Sequence, residues 1–188
     1  MNPMMIDVPS QLETERLILR APFQKGDGQI VNKAIKDSFN ELKPWMPFAQ
    51  RIPAVEETEI NLREAHIKFL QRNSFRFLIF HKATKEFIGQ ASLQGINWNL
   101  PKGELGYWIN TESSGNGFMT EAIRELTRFG LELLHFKRIE IRVESTNEKS
   151  RSIAEKLGYT LEGILKNDDL SADGKQLTDT CIYAMTNQ

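Results

Sequence analysis

Two glycines in a short turn are the residues of this sequence whose placement could most directly support chemistry. The segment Ser114-Gly115-Asn116-Gly117 follows a strand-like stretch and precedes a long helical pattern. The first amides of a helix have no partner within it and lie at the positive end of its dipole, so such a turn can hold a phosphate or pyrophosphate. Glycines also remove the Cβ atoms that would keep a ligand off the backbone. A tight turn without a ligand explains the same residues equally well, and this segment alone leaves both interpretations open.

Other signals of phosphate binding or covalent catalysis are absent from the sequence. No Lys-Ser/Thr pair follows at P-loop spacing, and the third glycine of a dinucleotide fingerprint is missing. Cys181 is the only cysteine, which excludes an internal disulfide and a thiolate metal cluster, and no Cys-His or Ser-His-Asp arrangement is evident. We therefore expect no metal and no acyl-enzyme, and we expect packing or surface roles for the histidines at 66, 81 and 135.

Two strands and two helices must position the turn. In the strand at 104–109, Leu105, Tyr107 and Ile109 share one face, and Glu104, Gly106 and Trp108 share the other. An apolar stripe predicts the helix after the turn; its members are Met119, Ala122, Ile123, Leu126, Leu133 and Leu134. Alternating residues predict a half-buried strand over 139–143. Asn147 can cap the next helix, and Gly158 can end it.

The remaining segments complete a mixture of strands and helices. We predict a strand at 17–19, one helix over 27–42 with Asp27 as its cap, and a second helix over 55–72. Residues 75–80 and 87–93 indicate a hairpin, and two further strands follow at 159–165 and 177–185. No repeat or linker interrupts this pattern, so we expect one α/β or α+β domain over residues 1–188.

Composition limits the function classes. The 188 residues are 40% hydrophobic, which is enough for the core of one domain. With 24 basic and 25 acidic residues, the formal net charge of −1 argues against bulk binding to nucleic acid or to a membrane surface. The first eleven residues lack the basic and apolar segments of a signal peptide, and no later stretch approaches the ~20 apolar residues of a membrane span. We expect a cytoplasmic protein.

Four motifs in one order resemble the GCN5-related N-acetyltransferase (GNAT) superfamily. They are Glu104-Leu105-Gly106-Tyr107-Trp108-Ile109, Gly115-Asn116-Gly117-Phe118-Met119-Thr120-Glu121-Ala122, Asn147-Glu148-Lys149-Ser150-Arg151-Ser152 and Lys156-Leu157-Gly158-Tyr159-Thr160-Leu161-Glu162-Gly163. The segments at 13–20, 44–48 and 173–183 are similar to its RimJ/RimL branch of ribosomal-protein N-terminal acetyltransferases, so the resemblance covers about residues 12–186. It implies a mixed, mostly antiparallel sheet of six to seven strands, splayed between the strands at 104–109 and 139–143, with about four helices.

The resemblance also implies the reaction. Such an enzyme transfers an acetyl group from acetyl-CoA to a primary amine by direct attack, without an acyl-enzyme. The acceptor that we favour is the N-terminal α-amine of a protein, for example a ribosomal protein. A small-molecule amine such as an amino acid, a polyamine or a drug is the alternative, and a non-catalytic acyl-CoA-binding module is a third hypothesis. The family also implies a homodimer.

In the family, CoA enters the splay. The amides of 115–120 are then expected to bind its pyrophosphate, and the backbone of 108–110 is expected to pair with its pantetheine arm. The residues assigned to acetyl-CoA are Trp108, Ile109, Asn110, Ser114, Gly115, Asn116, Gly117, Phe118, Met119, Thr120, Asn147 and Ser150. Ser114 and Met119 depart from the family's usual Gln or Arg and Gly or Ala. Because both contacts use backbone groups, we expect binding to persist.

Three residues, Ser150, Asp169 and Glu104, are candidates for catalysis, and Asn147 lies near Ser150 in the sequence. Ser150 is the expected hydroxyl donor to the departing thiolate, since a thiol with a pKa of roughly 8.5 benefits from a donor as charge develops on sulfur. Asn147 has two candidate roles, a helix cap and a contact to the CoA arm, and we expect capping to be the main one. Spacing from Ser150 in the RimL-like branch puts the general base at Asp169, and Glu104 is the alternative. Because an unperturbed aspartate, with a pKa of about 3.9, is a poor proton acceptor, Asp169 is expected to act through a water or to orient the amine.

The acceptor is assigned to Trp45, Met46, Phe48 and Asp179. The Pro-aromatic segment 44–48 cannot continue a helix and is expected to be a loop that either covers the acceptor as a lid or plugs an edge of the core. Asp179 shares parity with Leu177, Cys181 and Tyr183. We expect it to be structural, with binding of the amine as the alternative.

Overall fold

The computed structural model describes residues 2–187, and all of its strands belong to one sheet. In chain order, β1 to β8 are Gln11–Glu13, Leu17–Arg20, Phe75–His81, Phe87–Asn97, Lys102–Ile109, Arg138–Glu144, Thr160–Leu170 and Leu177–Thr186. The spatial order is β1-β2-β3-β4-β5-β6-β8-β7, and every neighbouring pair is antiparallel except β5 and β6. The mixed, mostly antiparallel sheet is confirmed. It has one strand more than expected, because the three residues of β1 are too few to show an alternating pattern.

Residues 2–187 contain five α-helices beside the sheet. In chain order, α1 to α5 are Asp27–Asp37, Phe39–Leu42, Val55–Leu70, Phe118–Arg128 and Glu148–Lys156. The single helix predicted over 27–42 is wrong, because it breaks at Ser38. The buried Ser38 hydroxyl donates to Asn110 Oδ1 at 3.1 Å and accepts from the amide of Thr111 at 2.9 Å. The break therefore joins the end of α1 to the chain that leaves β5.

The predicted cap of α1 is also wrong. Gly26 occupies the cap position in a left-handed conformation, and Asp27 lies in the first turn. The Asp27 carboxylate is instead buried against Arg20, with oxygen to nitrogen distances of 2.6 and 2.9 Å. Paired and hydrogen-bonded in this way, the two charges avoid most of the cost of burial.

The two faces of the sheet are covered by different helices. We call the face packed by α4 and α5 the α4 face, and the face packed by α1 and the first turns of α3 the α1 face. Leu105 and Ile109 pack on the α4 face, whereas Trp108 lies in the separate core of the α1 face. The alternation predicted for β5 is therefore confirmed.

The sheet opens between β5 and β6. These strands pair in parallel only where Lys102–Glu104 meets Arg138–Glu140. Beyond Glu104, β5 has β4 on one side and no other strand of residues 2–187 on its far side, while β6 continues beside β8. The splay expected between these strands is confirmed. We call this opening the gap.

Candidate active site

The glycine turn leaves the start of α4 open. Gly115 and Gly117 have φ values of +83° and +75°, which side chains rarely tolerate, and Gly117 is the cap residue of α4. No side chain within residues 2–187 caps this helix, and Ser114 through Gly117 are exposed. The Asn116 side chain closes the turn by donating to the carbonyls of Ser113 and Ser114 at 3.2 and 3.3 Å. The amides that open α4 therefore face solvent at the positive end of the helix dipole, as an anion site requires.

The side chains next to the turn decide which groups can face a ligand there. Met119 is buried in the core, 4% exposed, so only its backbone can meet a ligand. Phe118 packs beside the turn under the guanidinium of Arg16, 4.6 Å from the ring centroid, and Thr120 is half-buried. Any contact from residues 115–120 to a phosphate must consequently come mainly from amides.

Arg16 is a residue of this region that the sequence did not reveal. Its Nη1 donates to the Asn116 carbonyl at 3.0 Å, and its Nε donates to Glu121 Oε2 at 2.6 Å. Burial raises the pKa of Glu121, but hydrogen bonds from Thr14 and Arg16 outweigh it and hold that pKa below its ordinary value. Glu121 thus stays ionised and fixes a cation beside the turn. No local pattern signals this contact, because the paired residues are 105 positions apart.

The edge of β5 supplies backbone groups to the gap. The Asn110 amide donates to Ile88 in β4 at 2.8 Å, and the Asn110 carbonyl accepts from Ser113 at 2.9 Å. Because peptide groups alternate in direction along a strand, those of Tyr107 and Ile109 point away from β4 and into the gap. An extended amide-containing chain can pair there as an added strand. Within 108–110, Ile109 is the residue whose backbone is placed for this, while the backbone of Asn110 is already bonded and the Trp108 side chain lies on the α1 face.

Ser150 and Tyr107 meet across the gap. Ser150 Oγ donates to the Tyr107 hydroxyl at 3.0 Å, and that hydroxyl donates to the Ser150 carbonyl at 3.1 Å. Burial raises the pKa of Tyr107 to about 12, with the Ser150 hydrogen bond partly opposing it, so the phenol stays neutral. Asn147 accepts from the Ser150 amide at 3.2 Å, which confirms that it caps α5. The sequence signals for Tyr107 are its place in the motif at 104–109 and its position on the same face of β5 as Leu105 and Ile109.

The three candidate carboxylates lie in different surroundings. Glu104 lines a cavity of about 290 Å³ at the closed end of the gap, with Lys102, Glu140 and Arg142. Burial raises the pKa of Glu104, and a hydrogen bond with Gln94 and the charge of Arg142 partly oppose this. A carboxyl with a raised pKa is a better proton acceptor near neutral pH.

The other two carboxylates lie on the β7–β8 hairpin. Asp169 is exposed, and its Oδ1 accepts from the amide of Leu170 at 2.7 Å. It pairs with Thr178 of β8, in the part of the hairpin that extends past the end of the β6–β8 pairing. Asp179 accepts from Lys166 Nζ at 2.7 Å and from the Asn167 amide at 3.0 Å, and these contacts lower its pKa. Both of its oxygens are thus used to hold the hairpin.

The Pro-aromatic segment lies on the α1 face, where Pro47–Gln50 forms one turn of 3-10 helix. Met46 packs against the core of that face, whereas Trp45 and Phe48 are largely exposed. The Phe48 and Trp108 rings are 6.2 Å apart and line the same cavity, which has a volume of about 660 Å³. We call it the α1 cavity. The structure thus brings Phe48 to a cavity, Met46 to the core and Trp45 to the surface.

Comparison with known proteins assigns the chain to a family. Residues 16–160 match the profile of the acetyltransferase (GNAT) domain. This chain belongs to the GNAT family. The enzyme is therefore an acetyl-CoA-dependent N-acetyltransferase, and the resemblance drawn from its motifs is confirmed.

Relatives and solved structures place the acetyltransferase within this family. It is 39% identical over 139 residues to YdaF of Bacillus subtilis (strain 168), provisionally named a ribosomal N-acetyltransferase, covering 73% of this chain and 74% of YdaF. It is 28% identical over 180 residues to the [ribosomal protein uS5]-alanine N-acetyltransferase of Escherichia coli (strain K12), covering 94% and 90% of the two chains. RimL, the ribosomal L7/L12 α-N-protein acetyltransferase solved with coenzyme A, shares the fold with a TM-score of 0.84 at 21% identity, covering 95% and 96%.

Two further observations concern the part of the acetyltransferase that the structure describes. None of its helices is both long and apolar enough to cross a bilayer. Residues 2–187 also contain no cluster of three or more His, Cys, Asp or Glu side chains placed to hold a metal ion.

Proposed function

We propose that this acetyltransferase transfers the acetyl group of acetyl-CoA to the N-terminal α-amine of a protein, with a ribosomal protein as the favoured acceptor. The observation that carries the proposal is the gap itself, where the free edge of β5 leads from the uncapped start of α4 to the Ser150–Tyr107 pair. The relatives described above are named for acetylation of ribosomal proteins; one name specifies an alanine, and another specifies the α-amine of a protein. A gap that is open along one strand can admit a chain end.

The proposed mechanism is direct attack of a neutral amine on the thioester. The amide groups that open α4 hold the pyrophosphate, and the Arg16 guanidinium, whose charge is balanced by Glu121, lies beside them. The backbone of Tyr107 and Ile109 aligns the pantetheine arm by strand pairing. As the amine forms its bond to the acetyl carbon, the carbon–sulfur bond breaks, and the Ser150 hydroxyl turns from Tyr107 to donate to the sulfur. Glu104 accepts the proton that leaves the amine, directly or through a water.

The ionisation of the acceptor favours an α-amine. An α-amino group has a pKa near 7.7–8.0, whereas the lysine side chain has one near 10.4. Deprotonating the lysine at neutral pH therefore costs about 3.5 kcal/mol more. Carboxylates are weak proton acceptors. A site in which they are the candidate catalytic bases is therefore better matched to the α-amine, which gives up its proton more easily than a lysine side chain.

A panel of acceptors tests this function. Thiol release from acetyl-CoA would be measured with three groups of acceptors. The first group is peptides with a free α-amine, and the second is the same peptides with that amine acetylated, so that a lysine side chain is their free amine. The third group is polyamines and amino acids. We expect turnover with the free α-amines alone. Turnover restricted to small amines would establish the small-molecule alternative, and acetyl-CoA binding without any turnover would establish a binding module.

Replacing Glu104 with glutamine tests the identity of the base. Because burial raises the Glu104 pKa, the carboxyl gains a proton as the pH falls through that raised value and can no longer accept one. The amine is protonated over the same range, so log kcat/KM of the native enzyme should fall with a limiting slope of two at acid pH. We expect Glu104→Gln to reduce this slope to one and to lower kcat/KM at pH 7.5 roughly tenfold.

Asp169→Asn is the matched comparison for that variant. Asp169 is exposed and its carboxylate contacts the neighbouring amide of Leu170. We expect its pH profile to follow that of the native enzyme. A slope that falls to one in Asp169→Asn and stays at two in Glu104→Gln would transfer the role of base to Asp169.

We also propose that the enzyme is a homodimer. Large apolar side chains are exposed on the β7–β8 hairpin; they are Leu161, Ile164, Leu165, Leu170 and Leu177. Several such residues on one hairpin are typical of an interaction site, and a second copy of the chain would cover them. The molar mass measured by light scattering distinguishes a dimer from a monomer.

A further inference from the structure

The α1 cavity has a polar floor that the proposed chemistry does not use. Its volume of about 660 Å³ is within the usual range of small-ligand pockets. Phe48 and Trp108 form an aromatic wall, and the polar side chains of Asn61, Arg76 and Gln90 line it as well. Because Trp108 belongs to β5, the cavity adjoins the strand that borders the gap.

The charges of this cavity are unbalanced. Its charged lining residues are Arg51, Glu57 and Arg76, which sum to +1. Arg51 and Glu57 form a bidentate pair at 2.5 and 2.8 Å, and the pKa of Glu57 falls to about 2 because of the Arg51 hydrogen bonds and a further bond from the Ala54 amide. Those two charges cancel, so the positive charge of the cavity is that of Arg76.

Arg76 has donors that the chain does not use. Among residues 2–187 its side chain makes one hydrogen bond, from Nη1 to Asn61 Oδ1 at 2.6 Å, and no ion pair. Burial lowers the pKa of Arg76, and the charge of Glu64 opposes this only in part. An arginine remains charged at neutral pH, and its planar fork matches the geometry of a carboxylate. A half-buried guanidinium with a single partner can therefore bind an anion through its remaining N–H donors.

Strand register fixes how far Arg76 lies from the gap. Arg76 pairs with Ser92 in β4, and Ser92 pairs with Gly106 in β5. All three positions are on the α1 face, because their neighbours Phe75, Phe77, Ala91, Leu93 and Leu105 belong to the core of the other face. Adjacent strands are about 4.8 Å apart, so Arg76 lies roughly 10 Å from the edge of β5. Ser92 carries a small side chain and Gly106 carries none, and the Gln94 side chain lies beside both, accepting from Ser92 Oγ at 3.3 Å. An acceptor side chain that follows this row therefore passes Gln94.

We propose that Arg76 receives an acidic side chain of the acceptor, located at the second or third residue of its N-terminus. The inference rests on the proposed function, since it assigns the specificity of the same site. With the α-amine in the gap, an extended chain advances about 3.3 Å per residue, and a carboxylate side chain covers the rest of the distance. The enzyme then selects acidic N-terminal sequences by a charge-assisted, bidentate contact.

Paired peptides test this proposal on the native enzyme. Each pair shares its first residue and differs by Glu against Gln at position two or at position three, and kcat/KM is measured by thiol release. We expect the Glu peptide of at least one pair to be preferred roughly 10- to 100-fold, which is the effect of one charge-assisted hydrogen-bonded contact. We expect Arg76→Gln to bring that ratio close to one by losing turnover of the Glu peptide, with turnover of the Gln peptide little changed.

Two further variants separate recognition from damage to the fold. Arg63→Gln is the matched control, since Arg63 is an exposed arginine of α3 whose partner is Glu59, and it should keep the native ratio. Arg76→Lys keeps the charge without the fork and should give an intermediate ratio. Equal rates for Glu and Gln peptides in the native enzyme would overturn the role of Arg76 and leave the N-terminal activity standing. Absence of turnover with every peptide would overturn both.

Discussion

Ser150→Ala is expected to lower kcat for acetyl transfer roughly 100-fold while changing the dissociation constant of acetyl-CoA less than twofold. The reason is that, in the proposed mechanism, the Ser150 hydroxyl donates to sulfur only as negative charge develops there. Removing a single donor to a developing anion commonly costs about 10² to 10³ in kcat. The substitution keeps the cap of α5, because Asn147 accepts from the backbone amide of Ser150 and not from its hydroxyl. Single-turnover rates and titration of acetyl-CoA measure the two quantities separately.

Ser152→Ala is the matched control for that variant. Ser152 lies on the same helix, and its hydroxyl donates to the Lys149 carbonyl at 2.9 Å. We expect native kcat from it. Tyr107→Phe should fall between the two variants, because Tyr107 orients the Ser150 hydroxyl at 3.0 Å. A native rate in Ser150→Ala together with a large loss in Tyr107→Phe would give the role of donor to the phenol.

Gly117→Ala is expected to weaken acetyl-CoA binding roughly 100-fold. Gly117 caps α4 with a φ of +75°, so a side chain strains the turn and shifts the amides that follow it. A Cβ at this position also lies 3.6 Å from a guanidinium nitrogen of Arg16 and projects toward the cation beside the turn. Losing one or two charge-assisted hydrogen bonds to a pyrophosphate, at about 1.5–3 kcal/mol each, accounts for the size of the effect. Calorimetric titration with acetyl-CoA provides the measurement.

Gly158→Ala controls for the general cost of an alanine in a left-handed conformation. Gly158 has a φ of +82° and follows α5, and a Cβ at this position would meet no other atom within 4 Å. Both alanine variants should therefore lose similar thermal stability, but only Gly117→Ala should lose affinity for acetyl-CoA. Native affinity in Gly117→Ala, at a lowered melting temperature, would show that these amides do not hold the pyrophosphate.

Local patterns in the chain were sufficient to predict the elements around the site. The alternation in β5 correctly separated Leu105 and Ile109 from Trp108, because side chains of a strand point to opposite faces in turn. The two glycines correctly located the start of α4, and Asn147 correctly located the start of α5. Each of these predictions depends on neighbours within a few residues, and such neighbours are visible in a sequence.

Contacts between segments that are far apart in the chain cannot be predicted from local sequence patterns. The division of the helix at Ser38 depends on a bond to Asn110, 72 positions away, and the helical period of the segment gives no sign of it. The position of Arg16 beside the turn depends on Glu121, and that of Tyr107 depends on Ser150. The assignment of Asp169 as the base depends on spacing and stays a prediction, and β7 has a register shift between Leu165 and Asp169 that spacing does not reveal.

The sequence by itself determined the family, the order of the elements and the turn that can hold an anion. The reason is that short motifs identify the family, and that local side-chain patterns predict helices, strands and turns. The tertiary structure decided which groups meet. It set Ser150 against Tyr107, left the edge of β5 open toward the gap, and gave Arg76 a half-buried place with one partner. Burial and the distance between strands set pKa values and the reach of an acceptor, and both arise only when residues far apart in the chain are packed together.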